Sequence, residues 1–384
     1  MKQEIISYLS TLESELKDLS KNLYDIKEES FKEYKSSKYI CSLLKKHGFE
    51  VEENFLEIPT SFKGEFGNGH PKICYICEYD ADPLKGHITG NNLTSTMAVG
   101  ACLGLSKVIS KSGGTVIILG CPGEYINGCK TTMAKQGVFK DIDVVLSAHP
   151  NTITTVALKS NALLPLKIKY SLKKDQEVPL LSCTATHCAA LTYNFIDILK
   201  LNLPEGFSVE NILMKGKCNP YLISSYFESN YLISANTIKN CEYIKNMILN
   251  FAKNLKDLMD LDLESNMYQL PYEEMISNDT LCRIFSHNLK ETGIIDFHDF
   301  HDALPGLSLG SVSHVVPCIN HFIKITENQD VAYPSSGFAK ETLKDYAFNQ
   351  SLKAIKALAI TGLDLIENSN LLKEIKLEFS NKTK

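Results

Sequence analysis

Two short, almost unbroken apolar runs, Ile73–Cys77 (ICYIC) and Thr115–Gly120 (TVIILG), constrain this chain most. A strand that is apolar at nearly every position has no solvent face, so both of its faces must be covered. Helix-like segments separate such runs. Residues 31–47 carry Tyr39, Ile40, Leu43 and Leu44 on one face, and Gly48 follows as a stop. A small-residue stretch from Leu93 to Lys111 ends at Gly113-Gly114. Residues 4–24 read as one charged amphipathic helix. Further strands are expected at Glu50–Glu57 and at Asp143–Leu146, with His149-Pro150 just past the end of the latter. The Gly67-Asn68-Gly69 turn leads into Ile73. Strands alternating with helices in this way build a largely parallel sheet covered on both sides.

The pattern changes after about residue 165. Leu166–Tyr170 is a strand with alternating lysines, helices are expected near 182–200 and 237–257, and Tyr221–Ile233 is strand-like. This β-α-β-β-α order suggests a small sheet with two helices on one face. From about residue 276 the first pattern returns: a helix, the strand-like Val312–Ile325, and a long final helix over 337–367. The expected organisation is an α/β domain of residues 1–165 and 276–384, interrupted by a ferredoxin-like α+β domain at 166–275. A chain of 384 residues exceeds what one core usually supports, which agrees with two domains.

Composition narrows the function classes. The net charge is −5 with no basic half, which argues against nucleic acid as a partner. No apolar run approaches the roughly 18 residues of a membrane span. Met1–Leu19 mixes charged and apolar residues without a signal-type apolar core. A cytoplasmic protein is expected. The twelve cysteines are scattered singly, many in apolar runs, and read as buried reduced thiols. Cys74 and Cys77 form a CxxC, but inside a strand they point to opposite faces, and no second CxxC completes a zinc knuckle.

Four segments fall where an α/β sheet places its site, at the carboxyl ends of strands. They are Glu78-Tyr79-Asp80-Ala81-Asp82-Pro83, Gly86-His87-Ile88-Thr89-Gly90-Asn91-Asn92, Cys121-Pro122-Gly123-Glu124-Tyr125 and Ala148-His149-Pro150. In this order and spacing they resemble the M20 family of metal-dependent peptidases and amidohydrolases, especially its aminobenzoyl-glutamate hydrolase-like branch. The resemblance spans nearly the whole chain, including Gly310-Ser311-Val312-Ser313-His314-Val315-Val316-Pro317. It implies a zinc-peptidase-like mixed sheet covered by helices and an inserted lid that dimerises. It also implies divalent metal (zinc, manganese or cobalt) and hydrolysis of amide bonds.

Residue by residue, the resemblance carries over unevenly. The branch's H-x-C-G-H motif, whose cysteine and second histidine bind metal, reads His87-Ile88-Thr89-Gly90-Asn91. Its P-x-E-E motif, a general base followed by a ligand, reads Pro122-Gly123-Glu124-Tyr125, so Glu124 matches the base and Tyr125 stands at the ligand position. The H-P ligand is matched by His149. A late histidine is replaced by Pro334 within Ala332-Tyr333-Pro334-Ser335. The lid's G-x-x-x-H histidine falls at Gln176, and its N-x-I-P element is unrecognisable around Cys218-Asn219-Pro220. Of five ligand positions, His149 alone keeps a ligand type.

The chemistry of that set is poor for a metal. Threonine and asparagine are neutral, weak donors for zinc, proline has no side-chain donor, and tyrosine would have to ionise from a pKa near 10. Without a metal nothing brings the pKa of an attacking water down from 15.7 toward about 7, and Glu124 is a base with no activated nucleophile. Each surviving residue also has a plain structural reading. His149 suits a hydrogen-bonded strand end, Glu124 a solvated carboxylate or helix cap, and Asp80 and Asp82 the loop before Pro83. The run Asp296-Phe297-His298-Asp299-Phe300-His301-Asp302 looks metal-like, yet a polar surface loop accounts for it. The expectation is a chain that has lost metallohydrolase chemistry and binds a small acyl-amino acid or peptide-like ligand as a homodimer. Its binding residues would be Asp80, His87, Thr89, Asn91 and Tyr125, with Asp80, His87, Glu124 and His149 meeting in one pocket. The rivals are an active hydrolase with a reduced metal site, and a structural or regulatory partner of an active relative.

Overall fold

The structure, a computed structural model, describes residues 1–173, 185–216, 226–298 and 303–383. In chain order its helices and strands are α1 (Lys2–Thr11), α2 (Glu13–Ile26), α3 (Tyr34–Lys46), β1 (Glu50–Glu53), β2 (Phe62–Asn68), β3 (Lys72–Cys77), α4 (Asn91–Ser112), β4 (Gly114–Gly120), α5 (Lys130–Lys135), β5 (Val144–Asn151), β6 (Ala162–Leu172), α6 (Ala185–Lys200), β7 (Ser208–Gly216), β8 (Tyr226–Ala235), α7 (Ile238–Met259), β9 (Leu261–Asn266), α8 (Asp279–Glu291), α9 (Ser308–Ser313), β10 (Cys318–Lys324), α10 (Ser336–Glu341), α11 (Asp345–Glu367) and α12 (Ser369–Lys382). They form two compact units. One is Met1–Lys159 with Ile276–Asp302 and Ser311–Lys384, and the other is Ser160–Met275 with Ala303–Gly310.

The larger unit is a six-stranded sheet in the order β1-β2-β4-β3-β5-β10. Strands β4, β3, β5 and β10 run parallel, while β2 is antiparallel to both β1 and β4. The apolar runs of β3 and β4 are buried along nearly their whole length, as strands without a solvent face must be. The core of this unit is α4, packed by α11, α1 and α2. Among the described residues α4 is the one helix long and apolar enough to cross a membrane, but 83% of its most apolar window is buried inside the protein.

Several boundaries differ from the sequence reading, each for a local reason. The helix expected over 4–24 breaks at Leu12, next to Thr11, whose hydroxyl donates to the Tyr8 carbonyl at 2.7 Å and competes with the helix ladder. Strand β1 stops at Glu53 because Asn54, Leu56 and Glu57 adopt left-handed angles. Val312 lies in α9 and not in a strand, and the helix expected over 337–367 is two helices, α10 and α11, with α12 following it. His149-Pro150 sits inside β5, where pairing with β10 continues through Ile323 opposite Pro150.

The smaller unit is an antiparallel sheet in the order β7-β8-β6-β9. Helices α6 and α7 bury Cys188, Ile196, Ile244 and Ile248 in one core with Leu166, Ile168 and Tyr170 of β6. This is the ferredoxin-like arrangement. Strand β6 starts at Ala162, a few residues before the expected one, and residues 221–225 of the expected Tyr221–Ile233 strand lie outside the described residues. All ten cysteines among the described residues are free and buried. Burial pushes the Cys41 and Cys282 thiols up to about 12, so they stay protonated at neutral pH.

The N-terminus of α8 illustrates how the larger unit ties down its late helices. Asn278 Oδ1 accepts from Leu281 N at 2.9 Å, and the Glu378 carboxylate of α12 accepts from Asp279 N at 2.6 Å and Thr280 N at 3.0 Å. Partial burial works against the Glu378 carboxylate, but the Thr280 and Lys382 hydrogen bonds outweigh it and hold its pKa down at about 2. A carboxylate depressed on folding contributes stability that is complete above its ordinary 4.5 and fades as pH falls toward 2. Glu378→Gln is therefore expected to flatten the loss of stability between pH 4.5 and 2 in urea unfolding. An acid limb identical to that of the unaltered chain would contradict this.

Candidate functional site

The ends of three neighbouring parallel strands deliver the site. Glu78 and Asp80 follow β3, Glu124 and Tyr125 follow β4, and His149 lies near the end of β5. Asn91 opens α4, and Lys130 opens α5. Two hydrogen-bonded networks result.

The first joins the substituted ligand positions to one another. The Tyr125 hydroxyl lies 2.5 Å from Thr89 Oγ1 and accepts from Thr89 N at 3.2 Å. Thr89 Oγ1 donates to Asn91 Oδ1 at 3.0 Å, and Asn91 Nδ2 donates to Asp80 Oδ1 at 2.9 Å. The other Asp80 oxygen accepts from Ser30 Oγ at 2.7 Å and Tyr125 N at 3.0 Å. The donors thus run in one direction, from phenol to hydroxyl to amide to carboxylate, and each side chain supplies what its neighbour lacks. Burial lifts Asp80 to about 7 against the bonds from Tyr125 and Ser30, with the Glu124 and Glu33 charges adding to the rise. Burial likewise pushes the Tyr125 phenol up, so it is no phenolate at neutral pH.

The second network is built on charge. The Lys130 ammonium, fully buried, lies 2.5 Å from Glu78 Oε1 and 2.6 Å from Glu124 Oε2. The second Glu78 oxygen meets His149 Nε2 at 2.7 Å, and His149 Nδ1 meets Asn320 Oδ1 of β10 at 2.8 Å. Burial alone disfavours the charged forms here, but the partners prevail. Lys130 is held well above the ordinary lysine value by Glu124 and Glu78. Glu78 is held far below the usual carboxylate range by Lys130 and His149. His149 is raised by Glu78 and Asn320. An oxygen lies within hydrogen-bond distance of each ring nitrogen, so both nitrogens are engaged by protein partners.

His87 makes its polar side-chain contacts to backbone groups beside the networks. Its buried ring bonds the Leu23 carbonyl at 2.9 Å and stacks on Tyr24, and burial lowers it to about 4. It is a neutral, buried histidine that ties α2 to the site loop and lies against the Asp80 backbone. Pro334 is exposed after a cis bond, but its turn touches the site loop: Ser335 N donates to Ile88 O at 3.3 Å, and the Glu78 charge adds to burial in raising Tyr333. Gln176, Cys218-Asn219-Pro220 and the 299–302 part of the Asp296–Asp302 run lie outside the described residues. Glu78, Lys130 and Asn320 were missed as participants. Glu78 stood within a quoted motif, but nothing local marks Lys130, whose partner is 52 residues away in the chain.

The resident donors do not fit a di-metal centre. Such a centre needs several anionic or imidazole ligands converging on each cation. Here Thr89, Asn91 and Tyr125 are neutral and bonded to one another, and both His149 nitrogens are engaged. Among the described residues no three His, Cys, Asp or Glu side chains gather to hold a metal ion.

Fold and strand-end site together define a scaffold of the M20 peptidase and amidohydrolase type, and the chain is a homologue of such enzymes. No protein-family model matches it. The chain is 29% identical over 341 residues to a Mus musculus Xaa-Arg dipeptidase, across 84% of this chain and 78% of that protein. It is 28% identical over 260 residues to one of the polypeptides of the p-aminobenzoyl-glutamate hydrolase of Escherichia coli (strain K12), across 62% and 54% of the two. Its fold is similar to that of a Bacillus subtilis dinuclear metal binding peptidase from the M20 family, with a TM-score of 0.65 at 14% identity over 92% of this chain and 99% of that one.

Proposed function

We propose that this chain is an M20-fold protein that has given up metal-dependent hydrolysis and retains the strand-end site for a small acyl-amino acid or peptide-like ligand. The observation that carries the reading is the closed network of Thr89, Asn91, Tyr125 and Asp80. A metal entering there would have to break three mutually satisfied hydrogen bonds and would gain one carboxyl group, Asp80, beside three neutral donors. Glu124 then has no metal-activated water to deprotonate.

The purified protein is expected to carry no stoichiometric zinc, manganese or cobalt by elemental analysis. It is also expected to leave Xaa-Arg dipeptides and N-acyl-amino acids uncleaved after addition of each ion, while binding one such compound in calorimetry. Close to two ions per chain, or turnover that a chelator abolishes, would sink the reading. Such turnover would favour the second reading, an active hydrolase of peptide or N-acyl-amino-acid amide bonds with a reduced metal site, which draws on the retained Glu124 and on the catalytic names of the relatives. Homodimerisation through the smaller unit belongs to the proposal. It is supported by the edge strand β7, which exposes Ile212, Leu213 and Met214, and a monomer mass in light scattering of the same sample would remove it. A cytoplasmic setting is supported by the free, buried cysteines.

A further inference from the structure

We propose that Glu33 is a positioning residue of the strand-end site. Its buried carboxylate fixes the turn at Gly123 that carries Glu124 and Tyr125, and through that turn it sets the affinity of the site for its ligand. The ligand part rests on the proposed function, whereas the position of the turn does not. Glu33 belongs to none of the four segments at the strand ends.

Four observations carry it. First, three separate parts of the chain converge on one carboxylate. Glu33 Oε1 accepts from Phe31 N at 2.9 Å and from Gly123 N at 3.0 Å, and Oε2 accepts from Thr60 Oγ1 at 2.6 Å. The residue is fully buried, and these donors are a hydroxyl and two amides, so direction and not a counter-charge holds it there. Burial raises its pKa, with hydrogen bonds from Thr60 and from the backbone at Glu33, Phe31 and Gly123 opposing the rise.

Second, all three residues that donate to Glu33 have left-handed backbones: Phe31 at φ +62, Thr60 at +65 and Gly123 at +84. For a bulky or β-branched residue this is a strained conformation. Strain of this kind persists where the surroundings over-determine it, and it clusters at functional sites. Here the shared partner of the three turns is Glu33.

Third, all three turns abut the site. Gly123 precedes Glu124. The Thr60 carbonyl accepts from the hydroxyl of Tyr79, the residue between Glu78 and Asp80, at 2.7 Å. Ser30, next to Phe31, donates to Asp80 Oδ2 at 2.7 Å. The Phe31 ring closes on Gly123, where an added Cβ would meet Phe31 Cζ at 2.3 Å. Fourth, helix capping does not account for Glu33. It stands at the N-cap of α3, but its side chain makes no cap bond. Glu28 caps the helix instead, accepting from Lys35 N at 3.0 Å and Ser36 N at 2.9 Å.

The test uses the full chain in four forms: unaltered, Glu33→Gln, Glu33→Asp and Glu33→Ala. Amide hydrogen exchange is read on peptides covering residues 121–126. The rate of thiol labelling is read at Cys129, which is buried just before α5, with the buried Cys282 of α8 as a distant reference. Glu33→Gln is expected to match the unaltered chain. It loses the charge but keeps an oxygen for the Phe31 and Gly123 amides. Its own amide can donate to Thr60 Oγ1, whose hydroxyl turns to the Pro59 carbonyl already 2.6 Å away. Glu33→Asp keeps the charge but is one methylene shorter and loses its reach to Gly123. In Glu33→Asp and Glu33→Ala, opening at 121–129 should rise roughly 10–100-fold, about what a hydrogen bond to a charged group is worth, while Cys282 labelling stays unchanged. In calorimetry with an N-acetyl-amino acid as the probe, affinity should fall in the same two variants and hold in Glu33→Gln.

A closed turn in Glu33→Asp with an open one in Glu33→Gln would overturn the inference, because charge and not position would then be what matters. Equal protection in all four forms would also overturn it, and so would an opened turn with unchanged probe affinity, or loss of folding in Glu33→Gln. Should Glu33→Ala fail to fold, the comparison of Glu33→Gln with Glu33→Asp decides. If the unaltered chain binds no N-acetyl-amino acid, the proposed function loses its ligand, and exchange and labelling still decide whether Glu33 holds the turn.

Discussion

Lys130→Ala, measured without divalent ions, is expected to cost about 3–5 kcal/mol of stability in the larger unit, the range observed when one partner of a buried ion pair is removed. The reason lies less in lost attraction than in what remains. Glu78 has a 3% exposed side chain, and without the ammonium its Oε1 faces no cation. The carboxylate must then take up a proton or draw water into a packed wall. Glu124 is 24% exposed and can turn toward solvent, so its share of the cost is smaller. A second variant separates these terms. Lys130→Met combined with Glu78→Gln removes the buried negative charge along with the ammonium, and it is expected to recover more than half of the loss. Denaturant midpoints give both numbers. A cost below about 1 kcal/mol for Lys130→Ala would mean that the ammonium is hydrated and the pair loose, as at a surface.

Gly90→Ala is the second large effect. Gly90 sits between Thr89 and Asn91 with φ +79, a conformation that costs an L-residue about 1–2 kcal/mol. It also has no room: an added Cβ would meet Pro150 Cγ at 2.4 Å and Phe338 Cε1 at 3.3 Å. Forcing a methyl into such packing costs roughly 1–3 kcal/mol more. The two terms together come to about 2–5 kcal/mol. Gly69→Ala is the internal control, because Gly69 has nearly the same φ, +77, and nothing within 4 Å of its added Cβ. It is expected to lose only the conformational part. Equal losses in the two variants would show that the loop at Gly90 relaxes freely away from Pro150. A larger loss at Gly90 would show that the start of α4 and the end of β5 are held rigidly against each other, which keeps Thr89, Asn91 and His149 in place.

Much of the scaffold could be read from the chain because it follows from local pattern. Strands β3 and β4 announce themselves as apolar runs, and α4 as a small-residue helix stopped by Gly113. The inserted unit is visible as a change of period and composition after about residue 165. The errors fall where a tertiary contact or an unusual backbone angle overrides the pattern. Leu12 interrupts a continuous amphipathic stripe, and left-handed residues end β1 early. Pairing with β10 carries β5 past His149, which no periodicity within 143–151 reveals.

The candidate site divides the same way. The sequence determined which side chains stand at the strand ends: Glu78, Asp80, Thr89, Asn91, Glu124, Tyr125 and His149. It also determined that most of those at the family's ligand positions are neutral. Only the tertiary structure decided what they do with one another. Hydrogen bonds of the kind that close Tyr125, Thr89, Asn91 and Asp80 into one chain depend on positions a few tenths of an ångström apart, set by where three strands and a loop end. His87 and Lys130 show the point from opposite directions. His87 lies within the motif and turns out to serve the core, bonded to Leu23. Lys130 has no local mark and turns out to hold the site's only fully buried ammonium among the described residues, between acids 52 and 6 residues away in the chain. Charge pairing in a buried place is a long-range property of the fold: the side chain is written in the sequence, but its partner is chosen by packing.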